Sequence, residues 1–365
     1  MHLISSLGIG GAERLLVDFA RALQRHPGRP HVFVVMNAVH DAAMLEQLRS
    51  AGFPVVLLER RPGHLHPRHL LALRAIARAN RVSIVHAHNL GSKSWALLLK
   101  AIRPGTRVVF TAHSTSALPS LGPLGRWVHA NFVDWTVAIS QAVLRICGDC
   151  GIARASCIDN GIDLARFAAV RRTRRGDIRQ LINVGRFSIR EKGQDVLVRA
   201  LAILNAQDAG LHLTLMGGSG GAADRVKLEQ MADDLGQAHA VTFLEGRTDV
   251  PQQLGEADLF VLPSREEGFG LAVVEAMAAG LPVVASRVGG LADIITDRRD
   301  GCLVAADDPA ALADCIASLI ANPQETQAMA MAGEQVAQRY AINRMCEDYC
   351  ALYERLAEPP SGASS

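Results

Sequence analysis

The chain is poor in aromatic residues: 3 Trp, 3 Tyr and 10 Phe amount to 4 % of its 365 residues. With so few rings, and none interleaved with its basic clusters, it lacks the stacking platforms of a nucleic-acid binder. No apolar run reaches the roughly 18 residues that a membrane span requires, and no secretory signal opens the sequence. The expectation is a cytoplasmic protein. Stretches such as Leu211–Met216 and Leu259–Leu262 have the length of buried strands instead. Cysteine is sparse and odd in number, at seven, which points to reduced thiols. Cys147-Gly-Asp-Cys150 has the spacing of half a zinc site, but no second Cys pair or spaced His pair completes it. His86 and His88 invite the same question. Placed at a strand end, they are expected to point apart, so no metal is expected.

Apolar residues make up 49 % and charged residues 20 %, which gives ample core for two domains. The net charge of +2 hides an imbalance. Residues 1–165 carry 18 Lys and Arg against 9 Asp and Glu, and the remainder 20 against 27. Eleven of the 13 histidines fall in the first part. A basic run from Arg60 and Arg61 through Arg68, Arg74, Arg78 and Arg81 is either a solvated helix face or a surface for anionic headgroups.

Short β-rich runs alternate with helical patterns, the signature of parallel sheets covered by helices. In the first half the strands are read as Leu3–Ser6, Val32–Met36, Val55–Leu58, Ile84–His86, Val108–Thr111 and Trp135–Ile139, with a first helix over Glu13–Gln24. In the second half they are Leu181–Val184, Leu211–Met216, Val241–Phe243, Leu259–Leu262 and Val283–Ala285. The charged stretch Arg171–Asp177 is read as the linker between them. The expected domains are residues 1–170 and 178–340, followed by a helix over 341–358. Ile342, Met345, Cys346, Tyr349, Leu352 and Leu356 form an apolar stripe along that helix. The fold class is α/β, two doubly wound sheets facing a central cleft, with ligands at the carboxyl ends of the strands.

Several motifs stand at those ends. Gly8-Ile-Gly10-Gly11-Ala-Glu13 lies between the first strand and helix, where amides and a helix start favour an anion. It is not a dinucleotide fingerprint, because Glu13 takes the place of the third glycine, and this disfavours a nicotinamide dehydrogenase. Gly217-Gly218-Ser219-Gly220-Gly221 occupies the corresponding place in the second half. Arg186 and Lys192, with Arg190 as a rival, follow Leu181–Val184 and suit a diphosphate leaving group. The segment Pro263–Gly280 runs from strand through a glycine loop into a helix. There Glu267 can accept hydrogen bonds from hydroxyls, the amides of Phe269, Gly270 and Leu271 can hold a phosphate, and Glu275 stands on an otherwise apolar helix.

Glu267 and Glu275, with seven residues between them, resemble the paired glutamates of the retaining GT-B glycosyltransferases of family 4. The resemblance extends through Gly10-Gly11-Ala-Glu-Arg14, Thr111-Ala-His113-Ser, Ala138-Ile-Ser140, Asn160-Gly-Ile-Asp163, Gly185-Arg186 with Lys192-Gly193, and the last helix. One departure is that five residues separate Arg186 from Lys192, where four is common. The resemblance implies that Arg186 and Lys192 bind the donor diphosphate, Glu267 the donor sugar and Glu275 the ribose. It puts His113 beside the donor sugar, Gly10 and Gly11 near donor phosphates or acceptor, Gly218 in the donor site and Gly246 near the base. It also implies that the last helix crosses back to the first domain.

No Asp-x-Asp occurs in the chain, so protein cations and helix-start amides are expected to replace a divalent metal, and no cofactor is implied. The implied activity is transfer of a sugar from a nucleotide sugar, UDP-linked or else GDP-linked, to a glycan or lipid-linked acceptor of the cell surface. The basic first domain would make peripheral contact with an anionic membrane. A GT-B-like sugar-nucleotide epimerase and a non-catalytic nucleotide-sugar-binding protein are the competing readings.

Overall fold

A computed structural model describes residues 1–8, 10–26, 30–64, 66–170, 177–217, 221–247 and 249–358. The chain divides into two compact units, Met1–Gly161 with Ile342–Ser365, and Ile162–Ala341.

In the first unit, seven parallel strands are ordered β3-β2-β1-β4-β5-β6-β7: β1 (His2–Ile4), β2 (Phe33–Asn37), β3 (Val55–Arg60), β4 (Ile84–Ala87), β5 (Arg107–Ala112), β6 (Trp135–Ala138) and β7 (Ala155–Cys157). Helices α1 (Gly11–Leu23), α2 (Ala42–Arg49), α3 (Pro67–Ala79), α4 (Leu90–Ile102), α5 (Gly122–Phe132) and α6 (Gln141–Asp149) connect them in turn. Strands β1, β2 and β4 are buried along their whole length, as a sheet covered on both faces requires. Local chemistry starts the helices. Asp41 and Ser140 accept from the first-turn amides of α2 and α6, and Asn89 with Ser92 forms a reciprocal capping box on α4. The last helix, Ile342–Ala357, buries Ile342, Met345, Cys346, Tyr349, Leu352 and Tyr353 in the same core as Leu16, Phe19 and Leu23 of α1.

The second unit begins with α7 (Leu164–Ala168), β8 (Gln180–Val184), α8 (Ile189–Lys192), α9 (Gln194–Asn205), β9 (His212–Gly217) and α10 (Ala222–Asp234). It continues with β10 (Val241–Glu245), α11 (Val250–Glu256), β11 (Leu259–Leu262), α12 (Leu271–Ala278), β12 (Val283–Ser286), α13 (Leu291–Ile294), β13 (Cys302–Val304), α14 (Pro309–Ala321) and α15 (Pro323–Ala337). Its six strands are parallel, in the order β10-β9-β8-β11-β12-β13. Among the described residues no helix is long and apolar enough to cross a membrane.

Three sequence expectations change. The first unit ends at Gly161, not 170: Ile162 donates its amide to the Tyr340 carbonyl at 2.8 Å, and Phe167 of α7 is buried in the second unit. Residues 171–176 of the expected linker lie outside the described residues. Strands β7 and β13 were not anticipated; each has three residues, and their Ser and Cys weaken the β signal. His86 and His88 do not point apart. Residues two apart on a strand share a face, and their ring centroids lie 4.0 Å apart.

Candidate functional site

In an open α/β sheet, ligand sites form where the connections diverge to the two sides. In the second unit that point lies between β8 and β11. The loops leaving these two strands carry the sequence candidates Arg186, Lys192 and Glu267. The Lys192 ammonium donates to Glu267 Oε2 at 2.6 Å, with the two side chains 20 % and 13 % exposed. The Ser264 hydroxyl approaches the same oxygen at 3.4 Å. This is a half-buried cation beside a carboxylate, open enough to meet a ligand. Arg186 is exposed and pairs with Glu191, so its guanidinium is held at the strand end by a partner that solvent also reaches. Arg190 is exposed on α8.

The geometry of this loop rests on residues that sequence reasoning missed. Arg265 forms a two-pronged pair with Asp195, at 2.8 and 2.9 Å, and also reaches Asp307 and the Ile189 carbonyl. Its guanidinium is held above its ordinary pKa first by the Asp195 hydrogen bonds. Gln194 accepts from the Ser188 amide at 3.2 Å and donates to the Arg186 carbonyl at 2.9 Å, which fixes the turn that presents Arg186. The amides of Arg265 and Glu266 both reach the Glu191 carbonyl, tying the β11 loop to α8. Gly193 closes the arrangement. Its φ is +61°, and a Cβ there would lie 2.1 Å from the Pro263 carbonyl oxygen.

Beyond Glu267 the chain passes Gly268 and the buried Phe269, whose ring meets Tyr340 edge-on at 5.3 Å, and enters α12 at Gly270 with φ +109°. Gly270, the N-cap residue of α12, supplies no side-chain cap, so the helix start formed by Phe269, Gly270 and Leu271 can receive an outside acceptor. Glu275 is half-buried on the next turn, flanked by buried Val274 and Ala276. Gly246 follows β10 with φ +66°, in open surroundings. Of the glycine cluster at the end of β9, the described members Gly217 and Gly221 serve packing. A Cβ at Gly217 or Gly221 would strike Phe187, at 2.3 Å from its ring and 2.2 Å from its carbonyl oxygen respectively. Gly218 lies outside the described residues.

The first unit holds the remaining candidates. Gly10 and Gly11 begin α1 without a side-chain cap, and the Glu13 carboxylate leans over Gly10, where an added Cβ would meet its Oε2 at 2.5 Å. His113 follows β5. Burial lowers its pKa to about 4, so it is neutral at pH 7, and its Nε2 is buried without a partner. It lines a cavity of about 10 Å³ with His88, Leu15, Phe19, Met345 and Tyr349, roughly the space of one water molecule.

Beside this cavity lies an imidazole layer. His2 Nδ1 pairs with His88 Nε2 at 3.2 Å, and His2 Nε2 with His31 Nδ1 at 3.1 Å. His86 Nδ1 pairs with the Tyr353 hydroxyl at 2.6 Å, and Nε2 with that of Thr111 at 2.7 Å. His2, His86 and His88 are the one cluster among the described residues with three metal-capable groups in reach of one another. Both ring nitrogens of His2 and of His86 are already engaged, so an ion would have to displace these hydrogen bonds. The seven cysteines are free thiols, and burial raises that of Cys147 to about 11.

Residues 9–166 match the profile of Glycosyltransferase Family 4, and residues 178–322 that of Glycosyl transferases group 1. The chain is 30 % identical over 396 residues to the D-inositol 3-phosphate glycosyltransferase of Salinispora tropica, an alignment spanning 96 % of this chain and 82 % of that one. The namesake of Corynebacterium urealyticum is 38 % identical over 185 residues, which cover 48 % of this chain and 43 % of the relative. Among solved structures, Anabaena HepE in complex with UDP and glucose superposes with a TM-score of 0.82 at 23 % identity, covering 97 % of this chain and 98 % of that one. Two consecutive doubly wound sheets, with both family profiles matched in order, make the chain a member of glycosyltransferase family 4 with the GT-B fold.

Proposed function

We propose that the chain is a retaining glycosyltransferase that moves a sugar from a UDP-sugar to a glycan or lipid-linked acceptor in cell-surface polysaccharide or lipopolysaccharide synthesis. The observation that carries this reading is the Lys192–Glu267 pair at the β8/β11 divergence, with Arg186 on the adjoining loop. In this reading Lys192 and Arg186 take the charge that builds on the departing diphosphate, and the uncapped start of α12 contributes amides. Glu267 accepts from donor-sugar hydroxyls and turns Lys192 toward the phosphates, while Glu275 receives the ribose. His113, neutral at pH 7, offers a hydrogen bond without a charge. The leaving phosphate takes the proton of the acceptor hydroxyl as the new bond forms on the face that it vacates, so no carboxylate nucleophile is needed. No metal or other cofactor enters. The UDP preference is supported by the ligand of HepE, and in this reading the basic first unit takes the acceptor at an anionic membrane.

Thermal-shift titration against UDP, GDP and ADP, then UDP-sugars, tests the donor. UDP should raise the unfolding midpoint most, in line with its affinity. Donor consumption that requires an acceptor, persists in EDTA and retains the anomeric configuration supports the whole reading. Acceptor-independent interconversion of the sugar would make the chain an epimerase, and binding without turnover a sensor.

A further inference from the structure

From Arg60 to Val133 the chain contains eleven Lys and Arg and no Asp or Glu; the nearest acids are Glu59 and Asp134. This segment builds α3, β4, α4, β5 and α5 of the first unit. The crossovers β3→β4→β5→β6 all step the same way along the sheet, so right-handedness sets α3, α4 and α5 on one face. The outward surface that α3, α4 and α5 give that face is therefore acid-free helix, and the first acid beside it is exposed Asp149 at the end of α6, which the β6→β7 crossover sets on the same face.

It is also apolar where solvent meets it. Leu71 on α3 is 61 % exposed, and on α5 Leu124 is 75 % and Trp127 57 % exposed. Leu98 and Ile102 stand exposed one turn apart on α4. Helix α5 buries one residue, His129, which meets Lys93 at 3.3 Å, while Lys100 donates to the Phe132 carbonyl at 2.9 Å. The helix is pinned at these points and shows Leu124, Trp127 and Phe132 outward, with the Trp127 and Phe132 rings 5.9 Å apart. On α3, Arg68, Arg74 and Arg78 are exposed around Leu71. Exposed apolar side chains grouped on one helix, as Leu124, Trp127 and Phe132 are on α5, mark an interaction surface, and a partner that offers acids to the arginines and hydrocarbon to Leu124 and Trp127 is an anionic bilayer. A nucleic acid would match the charge and leave the leucines without a partner.

We infer that the α3–α4–α5 face docks on an anionic lipid bilayer, with Leu124 and Trp127 entering the headgroup layer and the α3 arginines meeting lipid phosphates. This rests on the membrane side of the proposed function and names its surface. The docking face includes none of the residues assigned to the donor, so either reading can fail alone.

The test is co-sedimentation of the full chain with vesicles of phosphatidylcholine, or of an equal mixture with phosphatidylglycerol. Binding should be about tenfold greater on the anionic vesicles and fall with salt. It should be accompanied by a blue shift of tryptophan emission that Trp127→Phe removes. Leu124→Ser with Trp127→Ser, and separately Arg74→Glu with Arg78→Glu, should each cut binding about tenfold while UDP affinity and thermal midpoint stay at the parent values. No partition onto anionic vesicles, equal binding by the Leu124/Trp127 variant, or displacement of vesicles by RNA with equal affinity would each overturn the inference. Loss of UDP binding by the parent chain would instead overturn the transferase reading and leave this one standing.

Discussion

The two units share a doubly wound plan and differ in what they keep where their connections diverge. Between β1 and β4 the first unit buries His2, His86 and His88 in a layer satisfied by other imidazoles, Thr111 and Tyr353. Between β8 and β11 the second unit holds a half-buried Lys–Glu pair with an exposed arginine alongside. A buried polar layer with no carboxylate to balance it must stay neutral, because an unpaired buried charge is far costlier than an unmet hydrogen bond. A charged pair at an open strand end can exchange its partner for a ligand. The first arrangement is a property of stability, and the second is suited to chemistry.

The largest expected effect lies in the first unit. Burial, and then the charge of neighbouring groups, lowers the pKa of His2, His86 and His88 well below the ordinary value of 6.5, and burial and its neighbours bring His31 to about 4. Unfolded, these side chains bind protons from pH 6.5 downward, whereas folded they do not. Stability is therefore complete above pH 6.5 and falls as the pH drops toward 4, by up to about 1.4 kcal/mol per pH unit for each buried imidazole. Urea unfolding followed at pH 7.5, 6 and 5 should show a steep loss in the first unit. The second unit, with only His212 and His239, should change less. Equal slopes in the two units would break the comparison.

Next in size is the response of turnover to Lys192. Lys192→Met should lower donor consumption about 10²- to 10³-fold, the range for removing one preorganised partner of transition-state charge. It should leave the acid sensitivity of the first unit unchanged. Glu267→Gln should raise KM for the donor as well as lower kcat, because its carboxylate is read as contacting the sugar itself. Unaltered kinetics in both variants would remove the pair from the site.

Much of this was legible from the sequence, and the failures have physical causes. Strands β8 to β12 announce themselves as short apolar runs, and Lys192 and Glu267 each stand in a strand-end motif, although nothing in the sequence pairs them with one another. The charged stretch Arg171–Asp177 suggests the unit boundary, yet the chain changes units within Asn160-Gly-Ile-Asp163, where the asparagine–glycine turn is the available signal. The approach of His86 to His88 follows from the period of two, which sets residues two apart on one face of the strand. Arg265 was not legible at all: Asp195 lies 70 residues before it and Asp307 lies 42 after, and no local pattern joins such partners.

Arg265 gives the third prediction. Arg265→Lys keeps the charge and loses the fork that grips Asp195. With about a quarter of the side chain exposed, the expected cost is about 1–2 kcal/mol of the second unit's stability. Because the clamp positions the loop bearing Glu267, kcat should fall about tenfold while donor affinity changes little. A loss of stability with kcat intact would reduce Arg265 to a structural tie.

The smallest effects compare one hydroxyl in each unit. Tyr353→Phe deprives His86 Nδ1 of a partner at 2.6 Å in a fully buried layer, where it is not replaced by water, and should cost about 1–3 kcal/mol. Ser264→Ala removes a 3.4 Å contact to a carboxylate that keeps Lys192, and should cost less than about 0.5 kcal/mol, with turnover within about twofold. Their pH behaviour sharpens the contrast. With its Nδ1 partner lost, His86 remains buried and neutral, so Tyr353→Phe should lower the stability of the first unit by the same amount at pH 7.5 and pH 6. If the penalty instead shrinks as the pH falls, water has entered and let His86 take up a proton, and the layer is held by packing less tightly than its hydrogen bonds imply.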